Sequence, residues 1–168
     1  MNILIRPETT ADIDAISAVT EAAFRNHPHS KQTECFVIHA LRKADALTVS
    51  LVAEVDGKVV GHIAFSPVTI SDGSTGWYGL GPVSVLPELQ RQGVGKALVR
   101  EGLARLKTSG ANGCLLVGEP AYYKHFGFKH FPKLLLEKIP PQYFLALPFG
   151  KTVPRGTVTF HDGFNATA

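Results

Sequence analysis

The stretch from Val83 to Val99 joins a strand to a helix through a loop with two closely spaced glycines, and it limits what this chain can fold into more than any other. Val83-Ser84-Val85 has strand character, Pro87 ends the strand, and Gly93 and Gly95 fall where a helix must begin. The first amide groups of such a helix have no intrahelical acceptor, and the helix dipole adds positive potential at the same point. Two glycines let the backbone approach an anion closely, so the loop reads as a phosphate cradle. Two familiar cradles are excluded. A nucleotide P-loop ending at Gly95-Lys96 needs glycine at Gln90 and serine or threonine at Ala97, and a dinucleotide fingerprint from Gly93 needs a third glycine at Leu98.

What remains is Gln90-Arg91-Gln92-Gly93-Val94-Gly95, a Q-x-x-G-x-G pattern preceded by the V-x-P of Val85 to Pro87. In this strand-loop-helix setting it resembles the pyrophosphate loop of the GNAT superfamily of acetyl-CoA-dependent N-acetyltransferases. A second block, Tyr123-Lys124-His125-Phe126-Gly127-Phe128, resembles the Tyr-x-x-x-Gly-Phe motif that follows the fifth strand in those enzymes. Order and spacing agree from about Ile3 to Phe128, whereas the specific motifs cover only the two blocks.

The resemblance implies an α/β (α+β) fold with a mixed, mostly antiparallel sheet, helices on both faces, and one parallel pair of strands splayed by a bulge. It implies acetyl-CoA as cofactor, with coenzyme A as product, held by Val83, Ser84 and Val85 on the splayed strand and by Gln90, Arg91, Gln92, Gly93, Val94, Gly95 and Lys96 in the loop. Gly79-Leu80-Gly81-Pro82 is the independent sign of a bulge, because proline removes a ladder donor and glycine marks an irregularity. Tyr123 takes the place of the acid that protonates the departing thiolate. A phenol of pKa about 10 is suited to that task, since the acid of a thiolate has a pKa of about 8.5. The other reading of Tyr122, Tyr123 and Phe126 is an aromatic packing cluster, and packing is the only role assigned to Tyr122.

The implied reaction is direct attack by a primary amine on the thioester in a ternary complex. Many relatives carry a glutamate base on or near the central strand, and this chain has none between Gly57 and Pro87. Glu34, Glu54, His62 and Glu119 are the candidates, each with a structural reading beside it; for His62 that reading is a satisfied core histidine. Phe24, Glu34 and the Tyr143 region are expected as walls of the acceptor site. A catalytically silent acyl-CoA-binding or sensor module is the alternative function.

Composition sets the outer bounds. The chain has 168 residues, enough for one domain over 1–168, with 45% hydrophobic and 18% charged residues as in a globular protein. The net charge of +3 includes no run of lysine or arginine, so a nucleic-acid partner is not expected. No signal-peptide core or membrane-length apolar run is present, and a cytoplasmic protein, monomer or homodimer, is expected. Cys35 and Cys114 lack a metal or redox spacing, and His27 and His29 lack further ligands beside them, so no metal is expected.

The remaining elements follow from periodicity. Residues 2–6 predict a strand, Thr9 or Thr10 caps a first helix, and a second helix runs from about Thr33 to Lys43. Leu47 to Val55 alternates like a half-buried strand, and Asp56-Gly57 turns it into a partner over Val59 to Ile70. A helix from Gly93 to about Ser109 precedes a strand at Gly113 to Gly118, apolar throughout, as expected of a parallel strand covered on both faces. Leu134 to Ile139, Tyr143 to Phe149 and Thr157 to Phe160 read as further strands.

Overall fold

The computed structural model describes residues 1–168. In chain order its elements are β1 (Leu4–Pro7), α1 (Ile13–Phe24), α2 (Glu34–Lys43), β2 (Val49–Val55), β3 (Lys58–Ile70) and β4 (Trp77–Val85). They continue with α3 (Val94–Thr108), β5 (Gly113–Val117), α4 (Pro120–Tyr123), β6 (Leu134–Leu135), β7 (Phe144–Pro148) and β8 (Gly156–Phe160). Asp56 and Gly57 both adopt left-handed backbone, φ 51° and 76°, the conformation a two-residue hairpin requires, and they join β2 to β3. The main sheet runs β1-β2-β3-β4-β5-β7, with β4 and β5 parallel and every other pair antiparallel. The far end of β3 leaves this sheet to pair with β8, which in turn pairs with β6.

Helices cover both faces. Val94, Leu98 and Leu106 of α3 are buried with Leu51, Ile63 and Phe65 on one side. On the other, Ile16 of α1 and Ile38 of α2 bury Val52. This double cover corrects the half-buried reading of Leu47 to Val55: Leu51, Val52 and Ala53 are all buried, because both strand faces meet helices. The entry to α1 is held by Asp12, which accepts from the Thr9 amide at 2.7 Å and takes two guanidinium bonds from Arg6 at 2.7 and 2.9 Å.

Gly102 lies mid-helix in α3, where glycine gives up about 1 kcal/mol of helix propensity relative to alanine. The reason is a close approach, since a Cβ at this position would collide with the ring of fully buried Phe65. Overpacking a core typically costs about 1–3 kcal/mol, which outweighs the propensity gain. Gly102→Ala is therefore expected to lower the urea midpoint; a higher midpoint would mean that the ring can move aside.

Past Phe128 the strand assignments shorten. Leu134 to Ile139 forms a strand only at Leu134–Leu135, because Lys138 takes left-handed backbone at φ 67° and Pro140-Pro141 follow. The released segment, together with Tyr143, becomes a wall of the cleft.

Candidate active site

Three features open the sheet beside α3. Ile63 pairs with Val83 and Phe65 with Leu80, so Ala64 alone faces Gly81 and Pro82, and β4 is bulged there. Strand β4 is paired with β5 only from Trp77↔Gly113 to Gly79↔Leu115, and beyond that register the two part. The Leu86 amide donates to the Val60 carbonyl at 2.9 Å. With a period of two, Ser84 also turns its backbone to β3, while Val83 and Val85 turn theirs into the gap. Gln90 Nε2 donates to the Val85 carbonyl at 3.0 Å, tying the loop to the opened strand.

Ser84 is thus corrected from the expected set. Its backbone serves the sheet, and its buried hydroxyl points beneath α1 to Thr20 Oγ1 at 3.4 Å.

At the start of α3 the consecutive amides from Arg91 to Lys96 donate to no other group of the chain. Arg91 and Gly93 adopt left-handed backbone, φ 63° and 94°, which curls these donors into a concave nest. A cavity of about 500 Å³ lies against it, lined by Gln90, Arg91, Gly93, Gly95, Lys96 and Tyr122. Val94 contributes only its amide, because its side chain is buried beside Gly61, and the Gln92 side chain bonds the Glu88 carbonyl at 3.1 Å. Arg100 lies instead over the Phe126 ring, 5.9 Å from its centroid. The nest, the Arg91 and Lys96 charges and the open backbone of Val83 and Val85 fit a cofactor with phosphates at one end and an amide-bearing arm at the other.

A second cavity of about 740 Å³ adjoins the first and shares Val83, Val85 and Gln90 with it. Phe24, Leu80, Val117, Glu119, Tyr123 and Tyr143 are among its walls. Tyr122 and Tyr123 are neighbours in one short helical turn, with rings perpendicular at 4.9 Å, and each faces a different cavity. Placing Tyr122 on the phosphate side is what the sequence reading missed; adjacency to Tyr123 at the end of the fifth strand was the available signal. Burial, with smaller contributions from Tyr122 and Cys114, pushes the Tyr123 phenol up to about 12, so it remains protonated across the working pH range.

The candidate bases separate on contacts. Glu34 accepts the Ser30 hydroxyl at 2.8 Å and does not line either cavity, which also corrects its place as an acceptor wall. Glu54 is held by Arg6 at 2.6 Å. His62 is fully buried away from both cavities, a core histidine as its structural reading expected, but only one of its ring nitrogens is satisfied. Ser50 donates its hydroxyl to Glu8, so His62 Nε2–H must donate to Ser50 Oγ at 2.8 Å, leaving Nδ1 as a buried acceptor without a partner. Glu119 alone among the four lines the second cavity.

The His62 network predicts a pH dependence of stability. Burial opposes the imidazolium more strongly than Glu8, 3.7 Å away, favours it, so the folded-state pKa of His62 lies below its ordinary value. Burial also opposes the Glu8 charge, but hydrogen bonds from Arg42 and Ser50 and the proximity of His62 outweigh it and hold the carboxyl down to about 2. Both groups bind protons more readily unfolded, so their stabilisation is present at high pH and lost on acidification. The His62 share fades below about pH 6.5 and the Glu8 share fades between about pH 4.5 and 2. His62→Asn should flatten the fall in urea midpoint between pH 7 and 5 while leaving the steeper fall below pH 4.5; an unchanged upper slope would remove His62 as its source.

A bulged, opened parallel pair with a nest of free amides at its mouth is the architecture of the GNAT fold, as likeness to known proteins shows. Residues 14–128 match the acetyltransferase (GNAT) family, and the chain belongs to that family as an N-acetyltransferase. The uncharacterized N-acetyltransferase YhbS of Escherichia coli K12 is 36% identical over 128 residues, 76% of this chain and 74% of that protein. A GNAT family acetyltransferase from Brucella melitensis, crystallised with acetyl-CoA, is 51% identical with a TM-score of 0.87, over 97% of this chain and 98% of that one. Escherichia coli YhbS crystallised with CoA superposes with a TM-score of 0.90 at 30% identity, over 100% of this chain and 94% of that one. No helix is long and apolar enough to cross a membrane.

Proposed function

We propose that this enzyme transfers an acetyl group from acetyl-CoA to a primary amine by direct attack in a ternary complex. The observation that carries the proposal is the continuity of the two cavities through Val83, Val85 and Gln90, which joins an anion nest to a chamber bearing Tyr123. The two relatives crystallised with acetyl-CoA and CoA support the choice of cofactor.

Bound there, acetyl-CoA supplies a thioester whose carbonyl carbon accepts the amine and whose sulfur leaves with the bonding electron pair. The amides from Arg91 to Lys96 and the Arg91 and Lys96 side chains hold the pyrophosphate. The Val83 and Val85 backbones align the arm in the opened ladder, and an amide of the bulged strand polarises the thioester carbonyl. The Tyr123 hydroxyl gives its proton to the departing sulfur. Glu119 takes the proton lost by the amine, directly or through water. The reading includes a cytoplasmic setting, to which two unpaired cysteines are suited.

The test is calorimetric titration with acetyl-CoA, CoA, ATP and NAD, followed by thiol release and mass-spectrometric detection of an N-acetyl product in the presence of amines. Binding of the two coenzyme A species alone is expected; ATP or NAD in preference would refute the proposal. With Tyr123 at about 12, kcat/KM should rise as the amine loses its proton and show no alkaline fall below about pH 11.

A further inference from the structure

We infer that the acceptor is a primary monoamine on an uncharged aromatic or bulky apolar body, without a carboxylate, a phosphate or a second ammonium group. This rests on the acetyl-transfer reading above and concerns the acceptor half of the same cleft. That half is walled by Phe24 and His27 from the end of α1 and the loop after it, by Pro82 of the bulge, and by Ile139, Pro140 and Tyr143 from the segment leading to β7. Phe24 and His27 pack ring to ring at 5.7 Å, so the α1 side presents a continuous aromatic surface.

Charge is separated along the cleft. Arg91 and Lys96 stand at the phosphate cavity, whereas the acceptor cavity has neither lysine nor arginine and Glu119 is its single carboxylate. An amino-acid carboxylate or a phosphate entering this chamber would lose its hydration without meeting a lysine or arginine, and only the imidazoles of His27 and His29 at the mouth would face it. A polyamine or aminoglycoside would bring several ammonium groups to one carboxylate, leaving the rest unpaired. A single ammonium meets neither penalty, because Glu119 on the exposed rim attracts it.

The apolar walls supply the rest of the recognition. Val117 and Tyr143 line the cavity and remain 45% and 37% exposed, apolar surface that a ligand in the cavity would cover. The volume of about 740 Å³ lies in the ordinary range for small-molecule sites and must also admit the thioester end of the cofactor. The acceptor body is accordingly limited to the size of roughly one or two rings.

A matched pair of probes tests this. 2-Phenylethylamine and L-phenylalanine share one aromatic body and differ by a carboxylate; spermidine, kanamycin and a peptide with a free N-terminus complete the panel. Thiol release by the full chain should give a kcat/KM for 2-phenylethylamine at least 100-fold above that for each of the others. Phe24→Ala and Tyr143→Ala should each raise the KM for that amine at least 10-fold and leave the Kd for acetyl-CoA, read by calorimetry, unchanged. Comparable or better turnover of phenylalanine, spermidine, kanamycin or the peptide would overturn the inference. So would absence of 2-phenylethylamine turnover in a protein that binds acetyl-CoA. Failure to bind acetyl-CoA at all would instead strike the underlying acetyl-transfer reading.

Discussion

Tyr123→Phe is expected to lower kcat by about 10²–10⁴-fold while leaving the Kd for acetyl-CoA unchanged, the range for loss of a positioned general acid. Removal of the hydroxyl spares the ring, which is what packs: Tyr123 sits edge-on to Tyr122 at 4.9 Å and to Phe128 at 5.9 Å. The raised phenol does not disqualify it as a donor. It keeps its proton until a thiolate is released beside it, and the free phenol and thiol differ by only about 1.5 in pKa. Gly118 makes room for the ring, since a Cβ there would come within 2.5 Å of Tyr123 Cε2, and its backbone has no need of glycine otherwise. Gly118→Ala should therefore also lower kcat, and in the Gly118→Ala/Tyr123→Phe double variant the two losses should not add. Stopped-flow or steady-state thiol release with parallel calorimetry reads both effects. Unchanged turnover in Tyr123→Phe would remove Tyr123 from the chemistry.

Gly95→Asp is expected to weaken acetyl-CoA binding by roughly 30–150-fold without unfolding the protein. The position is in the first turn of α3, where an acidic side chain favours the helix dipole, and its backbone is not left-handed. The same side chain projects toward the Tyr122 hydroxyl, which a Cβ would already approach to 3.5 Å, so the carboxylate would occupy the anion cavity itself. Two unit charges about 4 Å apart at an effective dielectric near 20 repel by about 4 kcal/mol, and screening in an open cavity leaves roughly 2–3 kcal/mol, or about 30–150-fold. A melting temperature close to that of the unsubstituted protein together with lost binding would separate the site from the fold. Retained binding would show that the nest does not hold the pyrophosphate.

The parts legible from sequence were those set within a few residues. The Asp56-Gly57 hairpin, the bulge announced by Gly81-Pro82 and the nest of Arg91 to Lys96 are each dictated by backbone conformations that only certain residues adopt, and each formed where it was read. The opening of β4 from β5 followed from the bulge. Tyr123 on the cleft wall followed from its place after the fifth strand.

What local rules could not reach was which way side chains face once distant segments pack. Val52 is buried because α1 and α2 cover a strand face that alternation assigned to solvent, and Ser84 was drawn under α1 by the same packing. Glu34 was expected at the acceptor site but spends its carboxylate on Ser30, while Glu119 reaches the cleft from the turn after β5. Phe24, Pro82, Glu119 and Tyr143 come together only through the sheet order, since no periodicity links residues so far apart in the chain. The sequence by itself therefore determined the glycine-marked loop and the opened strand proposed to hold the cofactor, whose geometry is backbone conformation. The acceptor half, made of side chains converging from four separate segments, was decided by tertiary structure, because its shape and charge exist only after the helices have packed.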